Sequence, residues 1–190
     1  MDDTTTLILV AVAVLILLGL FAVALKRFQR SRRLRERFGP EYERVVNEAG
    51  DRQKAEAELE SRLAHVEALD IRPLSAEEVN RFSLEWQATQ AEFVDEPLAS
   101  VQKANRLIRE VMRARGYPVE DFEQRAADIS VDYPELVADY RGLHMIAVKE
   151  ADDHVSTEEM RQAMVHGRAL FENLVRKETE ETATTQKEKI

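Results

Sequence analysis

Between Leu7 and Leu25 the chain runs nineteen residues without a charge, apolar on every side of a helix rather than along one stripe. At about 1.5 Å per residue such a helix is roughly 28 Å long, close to the roughly 30 Å hydrocarbon thickness of a bilayer. This predicts one membrane crossing with little tilt. Beyond it the pattern changes to helices that each carry a single apolar stripe. From Glu41 to Ile71 apolar residues recur at Tyr42, Val45, Val46, Ala49, Leu59, Leu63, Val66 and Leu69, and spacings of three and four predict a long stalk helix over 41–71. A heptad frame puts Tyr42, Ala49 and Leu63 in one seam position and Val45, Leu59 and Val66 in the other. The same frame puts Arg52 and Glu56 in the seam beside Gly50-Asp51, so a continuous coiled coil competes with a stalk that packs at its two ends on the body.

Residues 75–177 predict a bundle of about five further helices. Ser75-Ala76-Glu77-Glu78 and Ser156-Thr157-Glu158-Glu159 both fit a capping box, in which a Ser hydroxyl accepts from the third helical N–H and a Glu reaches back. The helix after Ser75 carries Val79, Phe82, Trp86, Gln90 and Phe93 on one stripe. Asp95-Glu96-Pro97 predicts the next start, with Asp95 as cap and Leu98, Val101, Ala104, Ile108, Val111 and Met112 inward; Arg113 and Arg115 suit its end and Gly116 its cap. Val119 to Ile129 reads as a short helix. Asp132-Tyr133-Pro134 repeats the cap-then-Pro device ahead of Leu136, Val137, Tyr140, Leu143, His144, Ala147 and Val148. Met160, Ala163, Met164, Leu170, Phe171 and Leu174 form the last stripe. Alternation of period two nowhere runs long enough for a strand. The expected fold is all-α: an N-terminal transmembrane helix, a long stalk helix, then the bundle. A short tail over 1–6 and a polar tail over 178–190, with almost nothing to bury and therefore expected to be disordered, flank it.

Charge adds an orientation. Lys26, Arg27, Arg30, Arg32, Arg33, Arg35 and Arg37 form a collar over 26–37 against the single Glu36, whereas residues 1–6 carry Asp2 and Asp3 and no cation. The positive-inside bias keeps the collar's side in the cytoplasm, N-terminus outside. A cleaved signal peptide, with Ala22-Val23-Ala24 as the small-residue site, lacks the basic n-region it needs. The seven cations are also candidates for contact with anionic lipid headgroups, at about 1 kcal/mol each near the surface. From Phe38 onward 20 Lys plus Arg face 33 Asp plus Glu, an acidic body repelled by anionic membranes and by nucleic acid. No pair of small residues four apart in the apolar run supports helix dimerisation there, and the sequence leaves the oligomeric state open.

The chemistry is sparse. There is no Cys, so neither a disulfide framework nor thiolate catalysis is available. His65, His144, His154 and His166 have no carboxylate three residues away, which removes the Glu-x-x-His device of helical di-metal sites. His154 lies among Glu150, Asp152, Asp153 and Glu158, but the capping box at Ser156 turns the chain there and a solvated loop is expected rather than a metal site. Gly-x-Ser-x-Gly and Gly-rich phosphate loops are absent. No catalytic residue, cofactor or metal is assigned. Trp86 and Phe93 are read first as core and second as possible partner contacts, beside the polar stretch from Arg52 to Glu60.

The order of an N-terminal span, an Arg-rich collar running into Arg37-Phe38-Gly39-Pro40-Glu41-Tyr42, then Arg72-Pro73-Leu74, Trp86, Phe93-Val94-Asp95, Arg115-Gly116-Tyr117-Pro118 and Tyr140-Arg141, resembles a group of uncharacterised bacterial single-pass membrane proteins. The resemblance covers most of the chain. It implies a bacterial inner-membrane setting and a shared helical fold, and brings no activity. The expectation is a non-enzymatic adaptor or scaffold held at the cytoplasmic membrane surface with an unidentified protein partner. An exported envelope or stress-related protein is the alternative, and an enzyme or sensor with a small-molecule pocket in the bundle is third.

Overall fold

The computed structural model describes residues 3–149 and 154–176, and of residues 3–14 the backbone alone. The expected tail over 178–190 and the turn at Asp152-Asp153 lie outside them. The described residues form eight helices and no strand, so the chain is all-α as its periodicity predicts. They fall into two units, divided between Glu60 and Ser61.

The first unit holds α1 (Asp3–Phe38), α2 (Pro40–Ala49) and the start of α3 (Arg52–Glu67). The apolar run and the basic collar belong to one uninterrupted helix, α1. Among the described residues no helix is long and apolar enough to cross a membrane. The described side chains of the apolar run cover Leu15 to Leu25, about 16 Å of helix, and Lys26 follows.

The expected stalk over 41–71 is two helices rather than one. Gly39, at φ 50°, turns the chain out of α1, and Pro40 fills the first position of α2, where its missing N–H costs nothing. Gly50 ends α2 in the left-handed region at φ 64°, its N–H bonded to Val46 O at 3.1 Å. Asp51 then accepts from Lys54 N–H at 2.9 Å and starts α3. The local cap chemistry thus overrides the heptad spacing, and the seam breaks where Arg52 and Glu56 interrupt it. Leu34, Phe38, Tyr42, Val45, Ala55 and Leu59 are the buried apolar residues of this unit.

The second unit continues with α4 (Ala76–Glu92), α5 (Pro97–Arg115), α6 (Phe122–Asp132), α7 (Val137–Ala147) and α8 (Thr157–Arg176). Both capping boxes form: Ser75 Oγ accepts from Glu78 N–H at 3.2 Å while Ser75 N–H donates to Glu78 Oε2 at 2.8 Å, and Ser156 and Glu159 do the same. Arg72 adds two bonds to the Glu78 carboxylate, at 2.7 and 3.0 Å, and with the cap it holds that carboxyl down at about 2. The two acid-plus-Pro starts differ from expectation. Asp95 still lies in the closing turn of the preceding segment, its N–H bonded to Glu92 O at 3.1 Å, and Glu96 is the residue ahead of Pro97, with no side-chain cap. Asp132 ends α6 instead of opening α7, and its carboxylate accepts from Tyr117 OH at 2.6 Å. The short helix starts three residues later than its apolar pattern suggests because Asp121, not the chain after Pro118, supplies the cap, accepting from Gln124 N–H at 2.8 Å.

α5 is the centre, packed on α4, α7 and α8, with α8 also against α7. Val101, Ala104, Ile108, Val111 and Met112 are fully enclosed, and Tyr140, Leu143, Leu170 and Leu174 close around them. Each such side chain contributes about 1.5–3 kcal/mol through the apolar area it removes from water. Trp86 stacks on Phe171 with ring centroids 4.6 Å apart and planes 15° from parallel. Gly167 lets Leu143 pack closely on α8: a Cβ there would stand 3.1 Å from Leu143 Cδ2, while the Trp86 ring, at 3.5 Å, would be in ordinary contact. Val148, expected on the inward stripe of α7, points to solvent.

Candidate functional site

The first unit holds a half-open cleft of about 750 Å³. Arg27, Phe28, Arg30, Ser31, Arg32 and Arg35 line it from α1, Tyr42 from α2, and Arg52, Gln53, Glu56 and Ala57 from the first turns of α3. Five guanidiniums therefore meet one carboxylate. The carboxylate sits at the base: Glu56 is buried, and its Oε1 accepts from Ser31 Oγ at 2.5 Å and from Tyr42 Oη at 2.9 Å. Burial, then the bond to Glu56, pushes the Tyr42 phenol up, so it serves as a fixed donor at any physiological pH. A buried acid with two donors aimed at it fixes the register of α1, α2 and α3 against one another.

The arginines divide into two sets. Arg30 lies 2.7 Å from Glu60 Oε1 and 3.9 Å from Glu56 Oε2, Arg32 bonds Glu36 at 2.8 Å, and Arg35 lies 2.9 Å from Glu43 with its guanidinium 5.3 Å from the centre of the Tyr42 ring. Arg27 and Arg52 have no ion pair among the described residues. Of the seven collar cations singled out from sequence, Arg27, Arg30, Arg32 and Arg35 line the cleft, whereas Lys26, Arg33 and Arg37 do not. Charge counting missed Ser31 and Tyr42, whereas Arg52, Gln53, Glu56 and Ala57 fall in the polar stretch from Arg52 to Glu60, which the sequence singles out as a partner face without joining it to the collar. The signal for Arg52 was present in the pattern, as a cation at a seam position that wants an apolar side chain.

The other two residues singled out, Trp86 and Phe93, are packed into the second unit: Trp86 is buried and Phe93 is half-buried against the same core. This unit also encloses charge. Arg125 donates to Tyr140 Oη at 2.9 Å and to Val119 O at 2.5 Å, and Arg115 donates to Tyr133 Oη at 3.1 Å and to Leu174 O at 2.8 Å, tying loops and helix ends to the core. Asp128 is fully buried; its Oδ1 accepts from Gln124 Nε2 at 2.8 Å and lies 3.6 Å from His65 Nε2, while Oδ2 has no hydrogen-bond partner among the described residues. Burial raises its carboxyl pKa. Ser130 Oγ donates to Ala127 O and accepts from Arg62, so Ser130, His65 and Asp128 do not make a nucleophile relay. His144 stacks on Phe122 with ring centroids 3.6 Å apart, and burial lowers its pKa, favouring the neutral ring. A smaller cleft of about 220 Å³ is lined by Glu85, Thr89, Lys103, Arg106, Leu107 and Glu110, two acids against two bases with no net charge to select a ligand. No group of three or more metal-ligating side chains occurs among the described residues.

Comparison with protein-family models, with curated proteins and with solved structures finds no match to this chain.

Proposed function

We propose that this chain is a single-pass membrane-anchored scaffold, its apolar N-terminal run crossing the bacterial inner membrane and its acidic helical body held at the cytoplasmic surface, where it engages a protein partner. The observation that carries this reading is on α1. Leu15, Ile16, Leu17, Leu18, Leu20, Phe21, Val23 and Leu25 are each 46–68 % exposed, around all sides of the helix and immediately ahead of the arginine collar. An apolar surface of that extent has to be covered, and lipid covers a helix evenly where a partner groove would cover one face. The collar then marks the cytoplasmic boundary. Anchoring concentrates the body at the membrane plane, so a modest binding face on it recruits effectively. Met145 on α7 and Val148 at its C-cap, three residues apart and exposed, offer such a face.

Paired C-terminal fusions to a reporter active only in the cytoplasm and to one active only outside it test the orientation. Activity of the cytoplasmic reporter alone is the expected result. Activity of the external reporter alone overturns the cytoplasmic placement and moves the body to the envelope.

A further inference from the structure

We infer that the arginine-lined cleft of the first unit is a discrete, saturable site for the phosphate-bearing headgroup of an anionic lipid, an inference that rests on the membrane reading above. Diffuse attraction between a basic collar and an anionic surface needs only charge and treats all seven collar cations alike. The cleft does not. It gathers four of them and adds Arg52, which lies fifteen residues beyond the collar's end in sequence and enters only because α3 folds back beside α1.

The donors suit a phosphodiester. Arg30, Arg32 and Arg35 are oriented by Glu60, Glu36 and Glu43. Arg27 and Arg52, without such pairs, keep their forked donors for an incoming anion, and a guanidinium fork matches two phosphate oxygens at once. Gln53, beside Arg52 in the first turn of α3, adds a neutral amide at the positive end of a helix. Glu56 repels an anion from the base of the cleft, which places the phosphate at the mouth among Arg27 and Arg52.

Two features favour a lipid over a free phosphate ion. Phe28 lines the cleft while 67 % exposed, and Leu25, one turn earlier on α1, is 46 % exposed, so an apolar wall leads from the cationic mouth onto the apolar run. A bare ion has no use for that wall, whereas acyl chains attached to a bound headgroup would lie along it. The cleft volume, about 750 Å³, also exceeds what a single phosphate occupies.

The test uses the full chain in neutral-detergent micelles, titrated calorimetrically with short-chain phosphatidylglycerol, with phosphatidylcholine of the same chain length, and with inorganic phosphate. Saturable binding of one phosphatidylglycerol per chain is expected, with phosphatidylcholine and inorganic phosphate each at least about tenfold weaker. Arg27→Gln with Arg52→Gln removes both forked contacts and should weaken it by well over tenfold, while Arg33→Gln on the outer collar changes it less than about twofold. Arg52→Lys keeps the charge but loses the fork, and should weaken binding several-fold with the helicity by circular dichroism unchanged, which separates a lost ligand contact from a misfolded unit; unchanged affinity in Arg52→Lys would overturn the forked contact in favour of charge alone. An equal loss in Arg33→Gln overturns the site in favour of diffuse attraction, and phosphate binding as tightly as the lipid overturns the lipid assignment. A chain that stays in the membrane fraction yet shows no saturable binding sinks the site and leaves the anchor standing. A chain absent from the membrane fraction sinks both.

Discussion

Residues 61–176 bury a continuous apolar core from Leu74 to Leu174, whereas the unit that ends at Glu60 buries a handful of apolar side chains around two carboxylates, Glu41 and Glu56. In the larger unit polar groups serve the core: Arg115 fastens a backbone carbonyl near the end of α8 and Arg125 one in the loop before α6, and they leave packing to Trp86, Met112, Tyr140 and Phe171. In the smaller unit the polar groups are the framework, with Ser31 and Tyr42 converging on Glu56 and the arginines arranged around them. Apolar burial is non-directional and tolerates many sequences, while a buried carboxylate demands particular donors. The first kind of construction makes a stable body. The second makes a shaped, charged surface.

This contrast breaks differently under mutation in the two units. Trp86→Ala removes the ring stacked on Phe171 and should cost about 3–5 kcal/mol of stability, read as a large fall in Tm of the body, with the membrane-bound fraction unchanged. Gly116→Ala comes next. Gly116 sits at φ 99°, and a Cβ there would stand 2.4 Å from the backbone oxygen of Asp70, so the loop at Asp70 to Arg72 must move away from the end of α5. About 2 kcal/mol is expected from the left-handed backbone and the clash together, measured by urea unfolding.

Glu56→Gln tests the smaller unit. It keeps the shape and removes the charge on which Ser31 and Tyr42 converge, for about 1–2 kcal/mol. Faster amide exchange should appear in α2 and the first half of α3, with the α5 and α8 amides unaffected; loss of protection in α5 would mean that the two units do not unfold independently. The smallest effect belongs to Asp128→Asn. Burial holds the Asp128 carboxyl above the ordinary aspartate value of 3.8, opposed by Gln124, His65 and Arg62 and assisted by Asp132. A carboxyl whose folded pKa exceeds its unfolded one binds more protons in the native state, so its contribution to stability falls as pH rises through that window. The charged group therefore detracts at pH 7. Asn keeps the Oδ1 acceptor for Gln124, and the variant's Tm should exceed the parent's at pH 7 and converge with it as pH falls toward 4.

Helices with one apolar stripe were legible from spacing alone, because Val101, Ala104, Ile108, Val111 and Met112 repeat the turn of a helix and have nowhere to go but inward. Both capping boxes were legible for the same local reason. The stalk divides because Gly50 and Asp51 end and restart a helix within two residues, a signal more local than the three heptad positions on either side. Asp95 and Asp132 looked alike as caps, yet the backbone bonds of Glu92 claim one and Tyr117 the other. For the candidate site, charge made the collar visible, but which cations act together depends on α3 returning beside α1. That is a tertiary fact, and neither Arg27 nor Arg52 carries it in its neighbours along the chain.

The most direct measurement is alkaline carbonate extraction of membranes from cells expressing the full chain, beside a variant carrying Leu17→Arg and Leu18→Arg. Each Arg at the centre of a spanning helix costs about 2.5–3.5 kcal/mol of insertion on the translocon scale. The account predicts that the parent stays in the pellet and the double variant moves to the supernatant. A parent chain released by carbonate would contradict the anchor, and with it the division of the molecule into a membrane-seated unit and the body it displays.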